Sequence, residues 1–319
     1  MNNFNWEYGN LSRVDGNLQS YNTLYIDKAN TDSIGLILLH KDKTIGFISL
    51  IRIAKLLNNI YVSKTGLLLI DASFYIDALV TLEEFVVSEG VVIISQMDYI
   101  YEEIKGSSKV TNFFGNKQTI INTIDMDVDS WLLQIRKKHR YYVRKAIKNT
   151  DQKCEIKVVD HTDLSLLDKM YDIYAENMGN KGVKLLFSTR DEFISFINRN
   201  LKNIIITICF RGDEISYFNV VHTNKEVANY IMAVTTKSGM SSYASYMGVY
   251  KLYDYLYSHN FKILNFGGVD SVNNHGVYLF KRGFSGELLE SPSYMIIGVG
   301  LIAWIAKSIL QLRMLVKSR

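Results

Sequence analysis

The stretch NFGGVDSVNNHGVYLFKRGFSG (265–286) follows a mostly apolar run, Phe261 to Phe266, and opens on a glycine pair, Gly267 and Gly268. An apolar strand that ends in paired glycines lets other groups come close to its backbone. The polar segment after it carries Asp270, Asn273, Asn274, His275 and Tyr278 before the chain closes on Phe280-Lys281-Arg282-Gly283-Phe284. Open α/β sheets bind ligands at the C-terminal ends of their strands, which is where this loop falls. The plainer reading is a strand, a loop and a short helix without chemistry.

Working outward, the elements before this stretch repeat an earlier order. Ile34 to Ile53 reads as two apolar runs joined by Lys41-Asp42-Lys43, a hairpin signal. Asn58-Asn59 is a further turn, before Ile60-Tyr61-Val62 and the run from Gly66 to Ile70. A helix is expected over Phe74 to Glu89, ended by Gly90, and a buried strand over Val91 to Ile94. In the second half, Ile204 to Val221 is again a hairpin, turning at Arg211-Gly212-Asp213. A strand from Asn229 to Val234, a helix from Ser242 to His259 and the strand Phe261 to Phe266 follow. Ile45 falls on Ile215, Phe47 on Tyr217, Phe74 on Ala244 and Ile93 on Ile263, a constant offset of about 170 residues. Such agreement across four elements implies two copies of one α/β unit, each with its own core. The first copy has Ser95-Gln96-Met97-Asp98 where the second has its glycines.

Between the copies, Ser130 to Lys148 reads as one helix capped by Asp129 or Ser130. Its polar face carries Arg136, Lys137, Lys138, Arg140, Arg144, Lys145 and Lys148 with no intervening acid. This is either a solvated face or an attraction for polyanions: phosphates of a nucleotide-linked substrate, an anionic membrane or tRNA. Two more amphipathic helices are expected over Leu166 to Met178 and Arg190 to Leu201.

The 319 residues favour two domains, and 48% hydrophobic with 21% charged residues describes an ordinary globular chain. The net charge of +4 does not by itself imply nucleic acid. Cys154 and Cys209 suggest neither a disulfide framework nor a zinc site and fit a reducing compartment. The polar N-terminus lacks the form of a signal peptide, and no run reaches the ~18 apolar residues of a spanning helix. A cytoplasmic location is expected. The tail from Val299 to Arg319 combines Leu301, Trp304, Ile305 and Ile309 with Lys307 and Arg313. It suits either an interfacial helix in peripheral contact with the inner face of a membrane or a last helix packed on the first domain.

These residues together resemble the Fem-type branch of the GNAT acyltransferases, the peptidoglycan-bridge aminoacyltransferases and their relatives. Arg140-Tyr141-Tyr142-Val143-Arg144-Lys145-Ala146 is similar to that family's basic segment, and Tyr230 to Thr235 to its strand before the helix. The most specific match is Asn265-Phe266-Gly267-Gly268 with Phe280-Lys281 to Phe284, like the family's "DFGG…FKxxFG". Asn265 stands where the family has Asp, and Ser285 separates Phe284 from Gly286. The resemblance implies two tandem GNAT-like domains, each a mixed twisted sheet flanked by helices. The expected division is 1–125, non-catalytic or acceptor-binding, and 126–319, carrying the basic helix and the catalytic-type motif.

The implied activity is N-acyl or aminoacyl transfer to an amine of a nucleotide- or lipid-linked cell-envelope sugar or peptidoglycan precursor. The donor would be acyl-CoA (acetyl-CoA) or aminoacyl-tRNA, with no metal. Lys281 is the first catalytic candidate, as a positive charge at the reacting centre; His275 and Asp270 are candidate bases. Arg140, Arg144, Lys145, Tyr230, Gly267, Gly268 and Phe280 are the expected substrate contacts. The usual pyrophosphate loop of acetyl-CoA enzymes is not visible before the Ser242 helix, but Lys237, Gly239 and Ser242 could hold phosphate there. The alternative is a non-catalytic polyanion- or membrane-binding protein on a GNAT frame.

Overall fold

The computed structural model describes residues 4–9, 33–52, 60–63, 67–69, 72–96, 112–158, 164–182, 185–224, 226–269, 275–298 and 300–317. In chain order the first elements are β1 (Phe4–Gly9), β2 (Ser33–His40), β3 (Lys43–Arg52), β4 (Ile60–Ser63), β5 (Leu67–Leu69), α1 (Tyr75–Ser88) and β6 (Val92–Gln96). Next come β7 (Asn112–Thr123), α2 (Val128–Gln134), α3 (Lys137–Ile147), β8 (Gln152–Val158), α4 (Leu164–Asn180) and α5 (Arg190–Arg199). Then follow β9 (Ile204–Arg211), β10 (Glu214–Asn224), β11 (Val227–Thr235), α6 (Lys237–Ser241), α7 (Ala244–Ser258) and β12 (Ile263–Val269). The chain ends with α8 (His275–Arg282), β13 (Glu287–Ile297) and α9 (Gly300–Lys317). It divides into two compact units, one of residues 1–117 with 290–319, the other of 118–289.

In the first unit the hairpin β2–β3 turns at Lys41 and Asp42, both with positive φ (50° and 62°). Such turns match the twist of the strands they join. The strands run β1-β2-β3-β4-β6-β13, and among the described residues only β4 and β6 are parallel neighbours. Side-chain alternation splits the core between the two faces. Ala78, Leu79, Leu82 and Val86 of α1 pack with Leu36, Leu38, Ile48, Leu50 and Ile93. Ala303 and Ala306 of α9 pack with Ile60, Val92, Ile94 and Ile296. Leu301 and Trp304 of the same helix are 70% and 64% exposed. The expected turn at Asn58-Asn59 and Gly66 lie outside the described residues.

The second unit repeats the plan. Hairpin β9–β10 turns at Gly212 (φ 59°), β10 pairs with β11 antiparallel, and β11 pairs with β12 in parallel. β8 pairs with β9 at one edge and β7 with β12 at the other. The offset read from the sequence holds in three dimensions: β3 matches β10, α1 matches α7 and β6 matches β12. α7 lies over the sheet and buries Val249, Leu252, Tyr253 and Leu256 against Val221, Ala228 and Leu264. Trp131 stacks on Tyr253 with ring centres 4.1 Å apart and 8° between planes, and lies parallel to Phe284 at 5.8 Å.

The single basic helix expected over 130–148 is instead two helices. Asp127, rather than Asp129 or Ser130, caps α2, accepting from the amides of Asp129 (3.0 Å) and Ser130 (2.9 Å). The break falls at Ile135 and Arg136, which adopt extended ψ (158° and 139°). A tertiary contact replaces the lost helical bonds. The Arg136 amide donates to the Gly283 carbonyl (3.0 Å), Ser285 Oγ to the Gln134 carbonyl (2.8 Å) and Arg140 Nη1 to the Leu133 carbonyl (2.8 Å). Open helix ends need such partners. Because two of these three bonds involve residues 283 and 285, the break depends on groups far outside 130–148.

Candidate functional site

Parallel strands β11 and β12 are paired only over Val227–Asn229 and Ile263–Asn265. β11 continues to Thr235 and β12 to Val269, so the two strands separate beyond that point. Asn265 stands at the apex. Its Oδ1 accepts from Thr119 Oγ1 (2.9 Å) and from the Gly267 amide (2.8 Å), and its Nδ2 donates to Asn229 Oδ1 (3.2 Å). An amide can serve both roles where a carboxylate only accepts, which gives a local reason for Asn here. β12 then bulges against β7 between Asn265 and Gly268. Gly267 has φ 74°, and a Cβ on it would come within 3.3 Å of the Tyr230 carbonyl. Left-handed φ at a crowded backbone is the physical requirement that the glycine meets.

The wedge between the strands is a cavity of about 720 Å³. Tyr230, Met232 and Thr235 of β11 form one side, and Phe266, Gly267 and Gly268 of β12 the other. α8 contributes Gly276, Val277, Phe280 and Lys281, while Tyr142 of α3 and Tyr243 and Tyr246 stand on a third side. Tyr217 lies at its inner wall, where its hydroxyl and that of Tyr230 hydrogen-bond to each other. Asn219 Nδ2 donates to both, at 2.9 and 3.1 Å. Burial pushes both phenols well above their ordinary range, so both remain protonated donors.

Lys281 is half-buried in this wall, and its Nζ donates to the Gly268 carbonyl at 2.9 Å. Burial lowers its pKa to about 8, so at neutral pH it is a cation that gives up its proton readily. The cavity thus brings together five of the residues expected from the sequence: Lys281, Tyr230, Gly267, Gly268 and Phe280. His275 is exposed at the start of α8 and is not part of the cavity wall. Asp270 lies outside the described residues.

Arg140, Arg144 and Lys145 are on α3, beside rather than in the cavity. Arg140 caps α2, as above. Lys145 lies 4.9 Å from the centre of the Tyr243 ring, which stacks on Tyr142 at 4.6 Å and 14°. Among the described residues, none of the seven basic side chains between Arg136 and Lys148 is in an ion pair. Among the described residues, no acid lies close enough to compensate their charge.

Lys237, Gly239 and Ser242 lie in and after α6, outside the cavity wall. The Gly239 amide is taken by Thr236 Oγ1 (3.1 Å), the Met240 amide by the Thr236 carbonyl (2.9 Å) and the Ser242 amide by the Ser238 carbonyl (3.1 Å). A Cβ at Gly239 would overlap the Ser216 carbonyl, so this glycine serves close packing against β10.

One residue that the sequence reading passed over is central. His139 of α3 is buried, and its Nε2 bonds the Phe280 carbonyl at 2.9 Å. Because a carbonyl only accepts, Nε2 carries the proton and Nδ1 is left without a partner. Burial, opposed in part by that bond, lowers the His139 pKa, so the ring is neutral. Its edge meets Phe284 (4.9 Å, 89°), and any side chain at Gly283 would overlap it. The one trace of it in the sequence is Gly283, a glycine after α8 that is not among those with positive φ and whose missing side chain leaves room for the ring.

No family model matches the sequence, and no curated protein is similar to it in sequence. Among solved structures, FemX is similar over 92% of this chain and 93% of its own, at 12% identity and a TM-score of 0.65. A C-terminal domain described as that of a lysylphosphatidylglycerol synthetase from Agrobacterium fabrum matches at 0.58, with 11% identity over 83% of this chain and 84% of that one. L-PGS from Bacillus licheniformis matches at 0.58, with 14% identity over 88% and 87%. At these identities what is shared is the fold. The chain has the Fem-like GNAT fold in two copies, as the resemblance implied.

Proposed function

We propose that the second unit is an aminoacyltransferase that moves an aminoacyl group from a tRNA ester to an amine of a nucleotide- or lipid-linked cell-envelope precursor. The observation that carries this reading is Lys281 in the wall of the wedge, in a cavity that seven aromatic side chains help to line. In the reaction the amine nitrogen attacks the ester carbon, and an oxyanion forms. The carbon–oxygen bond to the ribose then breaks, and the nitrogen gives up a proton as the departing oxygen gains one. A fixed cation close to that oxygen stabilises the developing charge, and with a pKa near 8 Lys281 can also supply the proton.

Two observations favour an RNA ester over acyl-CoA. The amides of Thr236, Gly239, Met240 and Ser242, in the segment that would have to cradle a pyrophosphate, already serve internal bonds. The uncompensated basic face of α3 suits a longer polyanion. The similarity to FemX, to the lysylphosphatidylglycerol synthetase domain and to L-PGS supports an envelope acceptor, and the exposed Leu301 and Trp304 suit a lipid-linked one.

The test is transfer from labelled aminoacyl-tRNA, and in parallel from acetyl-CoA, to amine-bearing envelope precursors, with wild type and Lys281→Ala. Transfer from the tRNA ester that the variant loses while keeping its fold supports the proposal. Micromolar binding of acetyl-CoA by titration calorimetry would move the donor to CoA. Unchanged cellular function of Lys281→Ala would favour a non-catalytic polyanion-binding protein.

A further inference from the structure

Cys154 and Cys209, far apart in sequence, are direct cross-strand partners on antiparallel β8 and β9. Directly opposed residues point to the same face of a sheet. Their Cα atoms lie about 4.5 or 5.5 Å apart depending on the kind of pair, and both spacings fall within the range that disulfides span. The two side chains share one apolar cluster with Tyr217 and Ala244, and both are free thiols. β8 is the outermost strand of its sheet, and Cys154 is the half-buried member while Cys209 is fully buried. Burial, and then contact with Cys154, push the Cys209 thiol far above its ordinary range, so Cys209 is not the group that meets an oxidant first. The row continues inward, for Cys209 is in turn the cross-strand partner of Tyr217, which lines the wedge.

We propose that Cys154 and Cys209 form a reversible disulfide under a hydroperoxide oxidant, fastening the edge strand β8 to β9. The Cys154 sulfur attacks the peroxide oxygen, the O–O bond breaks, and the products are Cys154 sulfenic acid and one molecule of alcohol or water. The Cys209 sulfur then attacks the sulfenic sulfur and releases water, with its own proton leaving on that oxygen. Two thiols are oxidised by two electrons in all, and the peroxide is reduced. A dithiol reverses the bond by exchange. This site does not depend on the aminoacyl-transfer reading.

The experiment is hydrogen peroxide treatment of the full chain, alkylation of the remaining thiols, and mass spectrometry of a non-reducing digest. The expected result is a linked pair of peptides containing Cys154 and Cys209, with the loss of two hydrogens, restored by dithiothreitol. The closed loop is long, so the oxidised chain should melt at least about 5 °C higher. Cys154→Ser and Cys209→Ser chains should show neither change. Two thiols that remain alkylatable, Cys154 carried on to sulfinic acid with Cys209 still free, or linkage only between separate chains would each overturn the proposal.

Discussion

The two units share one strand plan and differ where their parallel strands meet. In the first, all four residues of β4 pair with β6, Ile60 to Ser63 against Val92 to Ser95. In the second, three of the nine residues of β11 pair with β12. β6 carries no glycine there: Ser95, its last partner for β4, and Gln96 beyond it pair with Met295 and Tyr294 of β13. β12 bulges at Asn265–Gly268, with Gly267 in the left-handed region, and a cavity opens. A duplicated sheet thus becomes a site by extending two strands beyond their last shared hydrogen bonds. The walls come from whatever side chains then face the gap, among them seven aromatic rings and two lysines, Lys181 and Lys281.

The largest expected break of this contrast is Lys281→Ala. We expect kcat/KM for transfer to fall at least about 100-fold, with circular dichroism and melting temperature close to wild type. The pH dependence follows from the same lysine. Its pKa of about 8 lies below the ordinary lysine value, and the cation is the active form. Lys281 should therefore contribute a limb that falls about tenfold per pH unit above that pH, set against the rise the acceptor amine gives as it loses its proton. Lys281→Arg, which keeps its charge, should lack that falling limb even if its rate is lower; a shared limb would assign the titration to another group.

Gly283→Ala tests the join between α3 and the closing motif. The added methyl overlaps the His139 ring, and overpacking of this kind costs about 1–3 kcal/mol. Urea unfolding should show that loss, and a second change, His139→Ala, should recover part of it. Asn265→Asp should cost about 1–3 kcal/mol, because the carboxylate removes the donor to Asn229 Oδ1 at the apex. The smallest effect belongs to the first unit. Ser95→Gly, which imports a glycine at the matching strand, should leave the transfer rate unchanged within error. A loss there would mean that the first copy takes part in the chemistry.

Much of the frame was legible in the sequence. Lys41-Asp42 and Gly212 marked the hairpins, and the apolar runs of β3, β6, β10 and β12 carried the constant offset, because turns and alternation are local properties. Lys281, Phe280, Gly267, Gly268 and Tyr230 could be singled out in advance through a motif resemblance. The break between α2 and α3 could not, since Gly283 and Ser285 supply its hydrogen bonds from nearly 150 residues away. His139 was hidden for the same reason: within a basic run it looks like one more polar side chain. The cysteine pair was hidden too, because a register of Cys154 on Cys209 exists only once β8 lies beside β9.

By itself the sequence determined the repeated α/β unit, the glycine pair after an apolar strand and the concentration of charge between the copies. Those depend on periodicity, composition and backbone freedom, which act over a few residues. Tertiary structure decided the rest: that β11 and β12 part after Asn265, that Lys281 rests on the Gly268 carbonyl with its pKa lowered, and that His139 sits in the space Gly283 leaves. Each of these depends on burial and on hydrogen bonds between groups distant in the chain, and neither exists until the sheet has closed around them.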